Sequence, residues 1–235
     1  MIDASRTAGL RIADWVGGFD QGSISGSVYA VPPSLRLEAA RMLTSGGHRV
    51  HVDLIVAPDG AHTGVSPEEL VLIWESVPGA RLDVHLIILD AGPAAPDLAA
   101  PAWRSVKAAI RTAQQLKAET LTLSPDAMRT FSEILTSPSD TKPALWAEVA
   151  VGEEIPELRG VEGVLVMLIE SGSRHAADRS QLRRIPALAT LSKVGIDGGV
   201  NASVAAEARA AGAGLIVSGR ALFEHIQERK ATHVD

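Results

Sequence analysis

A short apolar stretch carries two chemically active side chains, and it reads Arg49-Val50-His51-Val52-Asp53-Leu54-Ile55. Its valine, leucine and isoleucine residues predict a β-strand. Side chains two residues apart on a strand point to the same face, so His51 and Asp53 are presented side by side. Because a buried charged group is costly unless it is paired or bound to a metal, the pair indicates a functional site.

Similar β-branched runs alternate with Ala/Leu-rich stretches along most of the sequence. They predict eight strands near Ile24–Ala30, Arg49–Ile55, Leu82–Ile88, Thr120–Leu123, Ala144–Val149, Gly163–Leu168, Val194–Ile196 and Gly214–Val217. Eight β-then-α units predict an α/β fold of the TIM-barrel class, a single-domain (β/α)8 barrel. A doubly wound open sheet is the main alternative. It is disfavoured because no Gly-x-Gly-x-x-Gly motif follows the first strand.

The connecting segments carry helix and loop signals. Ser66-Pro67-Glu68-Glu69 predicts the start of a helix, because it combines a capping box with proline at the first helical position. The Pro/Ala-rich stretch from Asp90 to Pro101 predicts a loop on the catalytic face, and residues 137–140 an ordinary connection. We expect residues 1–23 to form an N-terminal extension and residues 24–235 the barrel domain. Further helices are predicted over Leu35–Leu43, Trp103–Leu116, Arg129–Leu135 and Ala202–Ala211.

Composition excludes several classes of function. The 235 residues carry 22 basic and 28 acidic side chains, a formal charge of −6, without a basic cluster, so nucleic acid is not expected as a partner. There is no cysteine, which excludes disulfides and thiolate-metal sites. No apolar run has the roughly 18 residues of a membrane span. The N-terminus lacks a basic-then-apolar export signal, so we expect a cytoplasmic protein without a membrane partner.

Two more polar side chains lie at or near the ends of predicted strands. His85 is in the third strand and Asp197 follows the seventh. A single strand histidine is more often an ordinary core residue, and an aspartate before Gly-Gly is more often a turn former. In such barrels, however, the site lies at the C-terminal ends of the strands, where His51, Asp53, His85 and Asp197 would converge. Together they predict a site for one divalent metal ion, Zn, Fe, Mn or Co. For Asp83, which lies deeper, we expect a structural role.

Glycine-rich turns after the seventh and eighth strands are candidates for binding phosphate. They contain Gly198 and Gly199 in the first turn, and Ser218, Gly219 and Arg220 in the second. Each turn is predicted to open a helix, whose free N–H groups favour an anion. Arg220 adds a charged donor. Such turns are common elsewhere, so it is their order along the chain that favours phosphate binding.

These motifs together resemble the ribulose-phosphate 3-epimerase family. The resemblance runs from about Ser25 to Phe223. It rests on His51-Val52-Asp53, on Asp83-Val84-His85-Leu86, and above all on Ile196-Asp197-Gly198-Gly199-Val200-Asn201 with Ala211–Phe223. It implies a barrel of the ribulose-phosphate-binding type in which His51, Asp53, His85 and Asp197 bind the metal. It also implies that Asp53 and Asp197 are the two acid/base groups, that Ser27 contacts a sugar phosphate substrate, and that the protein is a homo-oligomer.

The loop after the sixth strand departs from that family. The family has Asn-Pro-Gly-Phe-Gly-Gly-Gln where this chain has Glu170-Ser171-Gly172-Ser173-Arg174-His175 after Ile169. Ser171, Gly172 and Ser173 are candidate donors to an anion, and Glu170 opposes one. The expected activity is inversion at C3 of D-ribulose 5-phosphate to D-xylulose 5-phosphate. The alternatives are a 3-epimerase of another ketose phosphate, such as a hexulose 6-phosphate, and a non-catalytic barrel that binds metal or phosphate.

Overall fold

Eight parallel strands form a closed barrel in the computed structural model, which describes residues 9–89, 98–136, 142–155, 157–170, 173 and 175–226. The barrel consists of β2 to β9 in sequence order, and β1 pairs with β10 outside it. The strands are β1 (Gly9–Ile12), β2 (Ile24–Ser27), β3 (Arg49–Val56), β4 (Leu82–Ile88), β5 (Thr120–Leu123), β6 (Ala144–Val149), β7 (Gly163–Met167), β8 (Lys193–Asp197), β9 (Leu215–Ser218) and β10 (Phe223–Ile226).

Helices cover the outside of the barrel. They are α1 (Arg36–Ser45), α2 (Pro67–Ser76), α3 (Pro101–Gln115), α4 (Pro125–Thr130), α5 (Ser132–Thr136), α6 (Ile185–Ala189) and α7 (Ala202–Ala211). Short 3-10 helices occupy Asp14–Gly18, Val28–Ala30, Pro33–Leu35 and Arg179–Arg184. In the described parts of the chain, no helix is long and apolar enough to cross a bilayer.

The TIM-barrel prediction is confirmed, and so is the predicted start of α2. Each of the eight predicted strands overlaps one barrel strand, because every strand combines β-branched residues with a clear boundary. At α2 the Ser66 hydroxyl accepts from the Glu69 backbone N–H, and the Glu69 carboxylate accepts from the Ser66 N–H. These reciprocal bonds form a complete capping box.

Two helix predictions are wrong. The helix predicted over Arg129–Leu135 is divided into α4 and α5 at Phe131, whose buried ring packs against Trp103. The helix predicted after β9 is a turn followed by β10, which runs antiparallel to β1. This pairing joins residues more than 200 positions apart, so no local pattern announces it. The predicted connection at residues 137–140, and residues 90–97 of the predicted Pro/Ala-rich loop, lie outside the described residues.

The buried apolar residues of the described segments form two clusters. The larger cluster lies between the barrel and its helices. The smaller one fills one side of the barrel interior and consists of Trp146, Leu165, Met167, Leu215 and Val217. Two inward glycines, Gly163 and Gly195, make room for the Trp146 ring: an added Cβ would lie 2.4 Å and 3.0 Å from it. Polar side chains fill the other side of the interior, which places the candidate site.

Replacing Ser66 with alanine is expected to destabilise the protein by about 1 kcal/mol, because the Glu69 N–H loses its capping acceptor. Urea unfolding measures this change. Ser76→Ala, at the last position of the same helix, is the control and is expected to stay within about 0.5 kcal/mol of the wild type. Equal stability of the two variants would contradict a stabilising role of the capping box.

Candidate metal centre

Four side chains converge at the C-terminal end of the barrel. His51 and Asp53 lie on β3, His85 on β4, and Asp197 is the last residue of β8. The parallel register places Asp53 beside His85, so neighbouring strands present their ligands at one level. The two imidazoles are fully buried, and the side chains of Asp53 and Asp197 are only 10% and 17% exposed. One potential ligand atom from each of the four lies within 4.8 Å of the others.

The separations of these atoms match those of ligands around one ion. The Nε2 atom of His51 lies 3.1 Å from Asp53 Oδ1 and 3.7 Å from Asp197 Oδ2. The Nδ1 atom of His85 lies 3.6 Å and 3.7 Å from the same two oxygens. Tetrahedral ligands at about 2.1 Å from a metal are about 3.4 Å apart, so the four distances bracket that value. His85 Nδ1 is buried and has no hydrogen-bond partner among the described residues, as expected of an atom whose partner is a cation.

A buried carboxylate holds each imidazole from behind. His51 Nδ1 lies 2.8 Å from Asp83 Oδ2, and His85 Nε2 lies 3.0 Å from Glu148 Oε2. Asp83 also accepts hydrogen bonds from the hydroxyls of Ser25 and Thr120. The structural role expected of Asp83 is therefore the orientation of His51.

The carboxylates create a negative potential at both rings. Burial acts to lower the pKa of His51, but Asp53 and Asp83 raise it well above its ordinary value. Burial likewise acts to lower the pKa of His85, but Asp197, Asp53 and Glu148 raise it well above the ordinary value. Burial acts to raise the pKa of Asp83, but His51 and the hydroxyl donors hold it at about 2. The site therefore favours a positive charge between the imidazoles and the ligand carboxylates.

Ser27 lies beside the candidate metal ligands and fixes one of them, Asp53. Its hydroxyl donates a hydrogen bond of 2.7 Å to Asp53 Oδ2, while Asp53 Oδ1 lies 3.1 Å from His51. The two oxygens of Asp53 therefore have different surroundings. One faces the candidate metal position, and the other is held by a residue of the cavity wall.

A cavity of about 540 Å³ opens above the four ligands. Its volume is within the range of small-molecule sites. Ser27, Asp53 and Asp197 line it, together with residues of the turns after β7, β8 and β9. Tyr29 and His175, which the sequence analysis did not single out, also line it. Among the described lining residues, Arg220 alone carries a guanidinium group.

The predicted phosphate-binding residues have different surroundings. Gly198, Gly199, Gly219, Arg220 and Ser173 line the cavity, whereas Ser218 is not among its lining residues. The buried Ser218 hydroxyl donates instead to the Val200 carbonyl at 2.8 Å, which fixes the turn after β8. Ser171 and Gly172 lie outside the described residues.

Asn201 caps the N-terminus of α7 and occupies two of its backbone N–H groups. The Asn201 side chain accepts from the backbone N–H groups of Ser203 and Val204, both at 3.1 Å. Gly199 has a φ of +64°, and a Cβ there would lie 2.7 Å from the Ala177 nitrogen. This glycine therefore lets the segment after β7 pack against the turn that leads into α7.

Glu148 is the residue of the centre that the sequence analysis missed. One glutamate in the strand sequence Ala-Leu-Trp-Ala-Glu-Val has no partner nearby in sequence. Its side chain is only 10% exposed, and an acid is rarely buried to this extent unless it is paired, here with His85. An acidic residue near the C-terminal end of a barrel strand is the signal that was available.

Comparison with solved structures supports the fold. The protein is similar to phosphoribosyl anthranilate isomerase from Thermus thermophilus, with 16% identity, a TM-score of 0.56, and coverage of 84% of this chain and 87% of that one. It is also similar to tryptophan synthase from Mycobacterium tuberculosis, with 18% identity, a TM-score of 0.53, and coverage of 86% and 84%. A tryptophan synthase complex from Pyrococcus furiosus is similar with 15% identity and a TM-score of 0.55, and the match covers 86% of this chain and 88% of that one. No protein-family model and no curated protein matches the sequence.

Gly64→Ala is expected to weaken metal binding, because the segment after β3 folds back on that strand. Val65 N–H donates to the Asp53 carbonyl, and a Cβ at Gly64 would lie 2.3 Å from this carbonyl oxygen. The clash must shift the backbone that carries Asp53. Overpacking of this kind costs about 1–3 kcal/mol.

Urea unfolding and calorimetric titration with Zn²⁺ measure the two effects of Gly64→Ala. The control is Gly17→Ala, where an added Cβ meets no atom within 4 Å. Unchanged zinc affinity in Gly64→Ala would show that the backbone of Asp53 is not held by this contact.

Proposed function

We propose that the protein is a metal-dependent epimerase that inverts C3 of a ketopentose phosphate, interconverting D-ribulose 5-phosphate and D-xylulose 5-phosphate. The observation that carries the proposal is the pair of aspartates, Asp53 and Asp197, which line one cavity and face one candidate metal position. The motifs around them resemble those of the ribulose-phosphate 3-epimerases. The fold alone is shared with enzymes of other activities, so the proposal depends on the site.

The reaction requires removal of the proton on the carbon beside the ketone and its return on the opposite face. A divalent metal in this site supplies Lewis-acid stabilisation of the negative charge that develops on the substrate oxygens. In the proposal, Asp53 and Asp197 are the two proton-transfer groups, one ionised and the other protonated, and their roles exchange with the direction of reaction.

Ser27 has a defined role in this scheme. Its hydroxyl donates to Asp53 Oδ2, the oxygen that does not face His51. Ser27 therefore fixes the orientation of the Asp53 carboxylate. The backbone on either side of the substrate is equally fixed, because Asp53 and Asp197 both lie on barrel strands rather than in loops.

The phosphate group is assigned to the side of the cavity formed by Gly198, Gly199, Gly219, Arg220 and Ser173, all of which line it. Arg220 supplies the positive charge. Ser171 and Gly172 belong to the same proposal on sequence grounds alone. Homo-oligomer formation also stays a prediction.

The segment after β7 favours a second candidate with the same chemistry, a 3-epimerase of another ketose phosphate such as a hexulose 6-phosphate. Ser173 and His175 line the cavity at positions where the ribulose-phosphate 3-epimerases have a glycine and a glutamine. The cavity wall that meets the substrate is thus altered, while the four ligands are retained. A barrel that binds metal or phosphate without turnover is the third alternative, and retention of both aspartates disfavours it.

The test is incubation of the metal-loaded protein with D-ribulose 5-phosphate in D2O, followed by NMR at C3. The proposal predicts deuterium at C3 together with formation of D-xylulose 5-phosphate. Deuterium incorporation into a hexulose 6-phosphate alone would identify the second candidate. If the metal-loaded protein incorporates deuterium into neither sugar, the third alternative, a barrel that binds metal or phosphate without turnover, is favoured.

Asp53→Asn and Asp197→Asn are each expected to lower the exchange rate by about 100-fold or more, because an amide cannot accept the substrate proton. Metal content is measured in parallel, since both residues are also candidate ligands. Asp126→Asn, with a side chain 68% exposed, is the control and should keep the wild-type rate. Near-wild-type exchange by either active-site variant would refute the two-base assignment.

A further inference from the structure

The Glu148 carboxylate lies behind the metal centre and is separated from the candidate metal position by one imidazole. It lies 3.0 Å from His85 Nε2, and the two side chains are 10% and 0% exposed. Glu148 is on β6 and His85 is on β4, with β5 between them, so the contact spans one strand of the barrel wall. It is not among the residues that line the cavity.

This contact decides which nitrogen of His85 carries the hydrogen and which has the lone pair that can coordinate a metal ion. A neutral imidazole has one N–H and one lone pair. When Nε2 carries the hydrogen and donates it to Glu148, the lone pair is on Nδ1. Nδ1 is the atom that lies 3.6 Å from Asp53 Oδ1 and 3.7 Å from Asp197 Oδ2. The opposite tautomer would direct an N–H at the metal position and exclude the ion.

The imidazole of His51 is also held by a carboxylate, but through Nδ1 instead of Nε2. Asp83 lies 2.8 Å from His51 Nδ1, which leaves Nε2 for the metal position. The two rings therefore approach the ion through different nitrogens. Asp83 is itself fixed by Ser25 and Thr120. The sequence analysis found one of these two carboxylates, and the structure adds the second.

We infer that Glu148 is a positioning residue of the metal centre, which fixes the tautomer and the ring orientation of His85 so that Nδ1 coordinates the ion. The inference rests on the proposed metal-dependent function. Carboxylates behind metal-binding histidines act in this way in other metal sites, and their loss weakens metal binding by about 10- to 100-fold.

The experiment compares the dissociation constants for Zn²⁺ and Co²⁺ of the wild type, Glu148→Ala and Glu148→Gln, by competition with a chromophoric chelator. The alanine variant is expected to bind about 10- to 100-fold more weakly. The glutamine variant is expected to lie between the two, because its amide oxygen still accepts from Nε2–H without the negative charge. The visible absorption spectrum of bound Co²⁺ is expected to change in the alanine variant, since it reports the coordinating atoms.

Controls distinguish positioning from a structural role. Glu153→Gln alters an exposed acid in the segment after β6 and should leave both constants unchanged. Unfolding of each metal-free variant measures any loss of stability separately. If Glu148→Ala does not fold, the metal affinity of Glu148→Gln tests the inference. A folded Glu148→Ala with wild-type affinity and Co²⁺ spectrum would overturn the inference, as would wild-type affinity in Glu148→Gln when the alanine variant is unfolded.

The outcomes separate this inference from the proposed function. A wild-type protein that binds neither ion would refute the metal-dependent function and the inference with it. A wild-type protein that binds the ions and exchanges the substrate proton, with unaltered affinity in folded Glu148 variants, would overturn the inference alone.

Discussion

Burial of several ionisable groups in one barrel is the constraint on which the rest of the structure depends. His51 and His85 are fully buried, and Asp53, Asp83 and Glu148 are almost completely buried. Removing a charge from water costs several kcal/mol unless partners compensate it. The structure compensates by pairing each imidazole with carboxylates on both sides. Between these groups lies a position of negative potential, surrounded by two imidazole nitrogens and two carboxylate oxygens. Such a position is suited to a divalent cation.

The division of the barrel interior follows from this constraint. One side of the interior carries the imidazoles and their carboxylates. The other side is apolar and tightly packed, and it holds the barrel strands together. Trp146 and its aliphatic neighbours form this apolar side, and two inward glycines leave space for the indole. The four candidate metal-binding residues lie on strands that are hydrogen-bonded on both sides, so their backbone positions are fixed before any ion binds. The turns above them form the variable part of the cavity, where substrate choice is expected to lie.

The sequence could predict the barrel and the convergence of four candidate ligands because both depend on local patterns. Most barrel strands are rich in β-branched residues, and His51 and Asp53 share a face by simple alternation. Long-range contacts could not be predicted. The pairing of β1 with β10 has no local signal, and the contact of Glu148 with His85 forms only when β4, β5 and β6 assemble side by side in the barrel. The hydrogen bond from the Ser218 hydroxyl to the Val200 carbonyl is a further contact that only the three-dimensional structure reveals.

The central claim is that one divalent ion is bound by two imidazoles and two carboxylates. X-ray absorption spectroscopy of the protein with one equivalent of Zn²⁺ tests it most directly. The account predicts nitrogen and oxygen neighbours at about 2.0–2.2 Å, with the multiple scattering of two imidazole rings. It also predicts the loss of one ring's contribution in either His51→Ala or His85→Ala. A wild-type spectrum explained by water oxygens alone, or one unchanged in both histidine variants, would contradict the account.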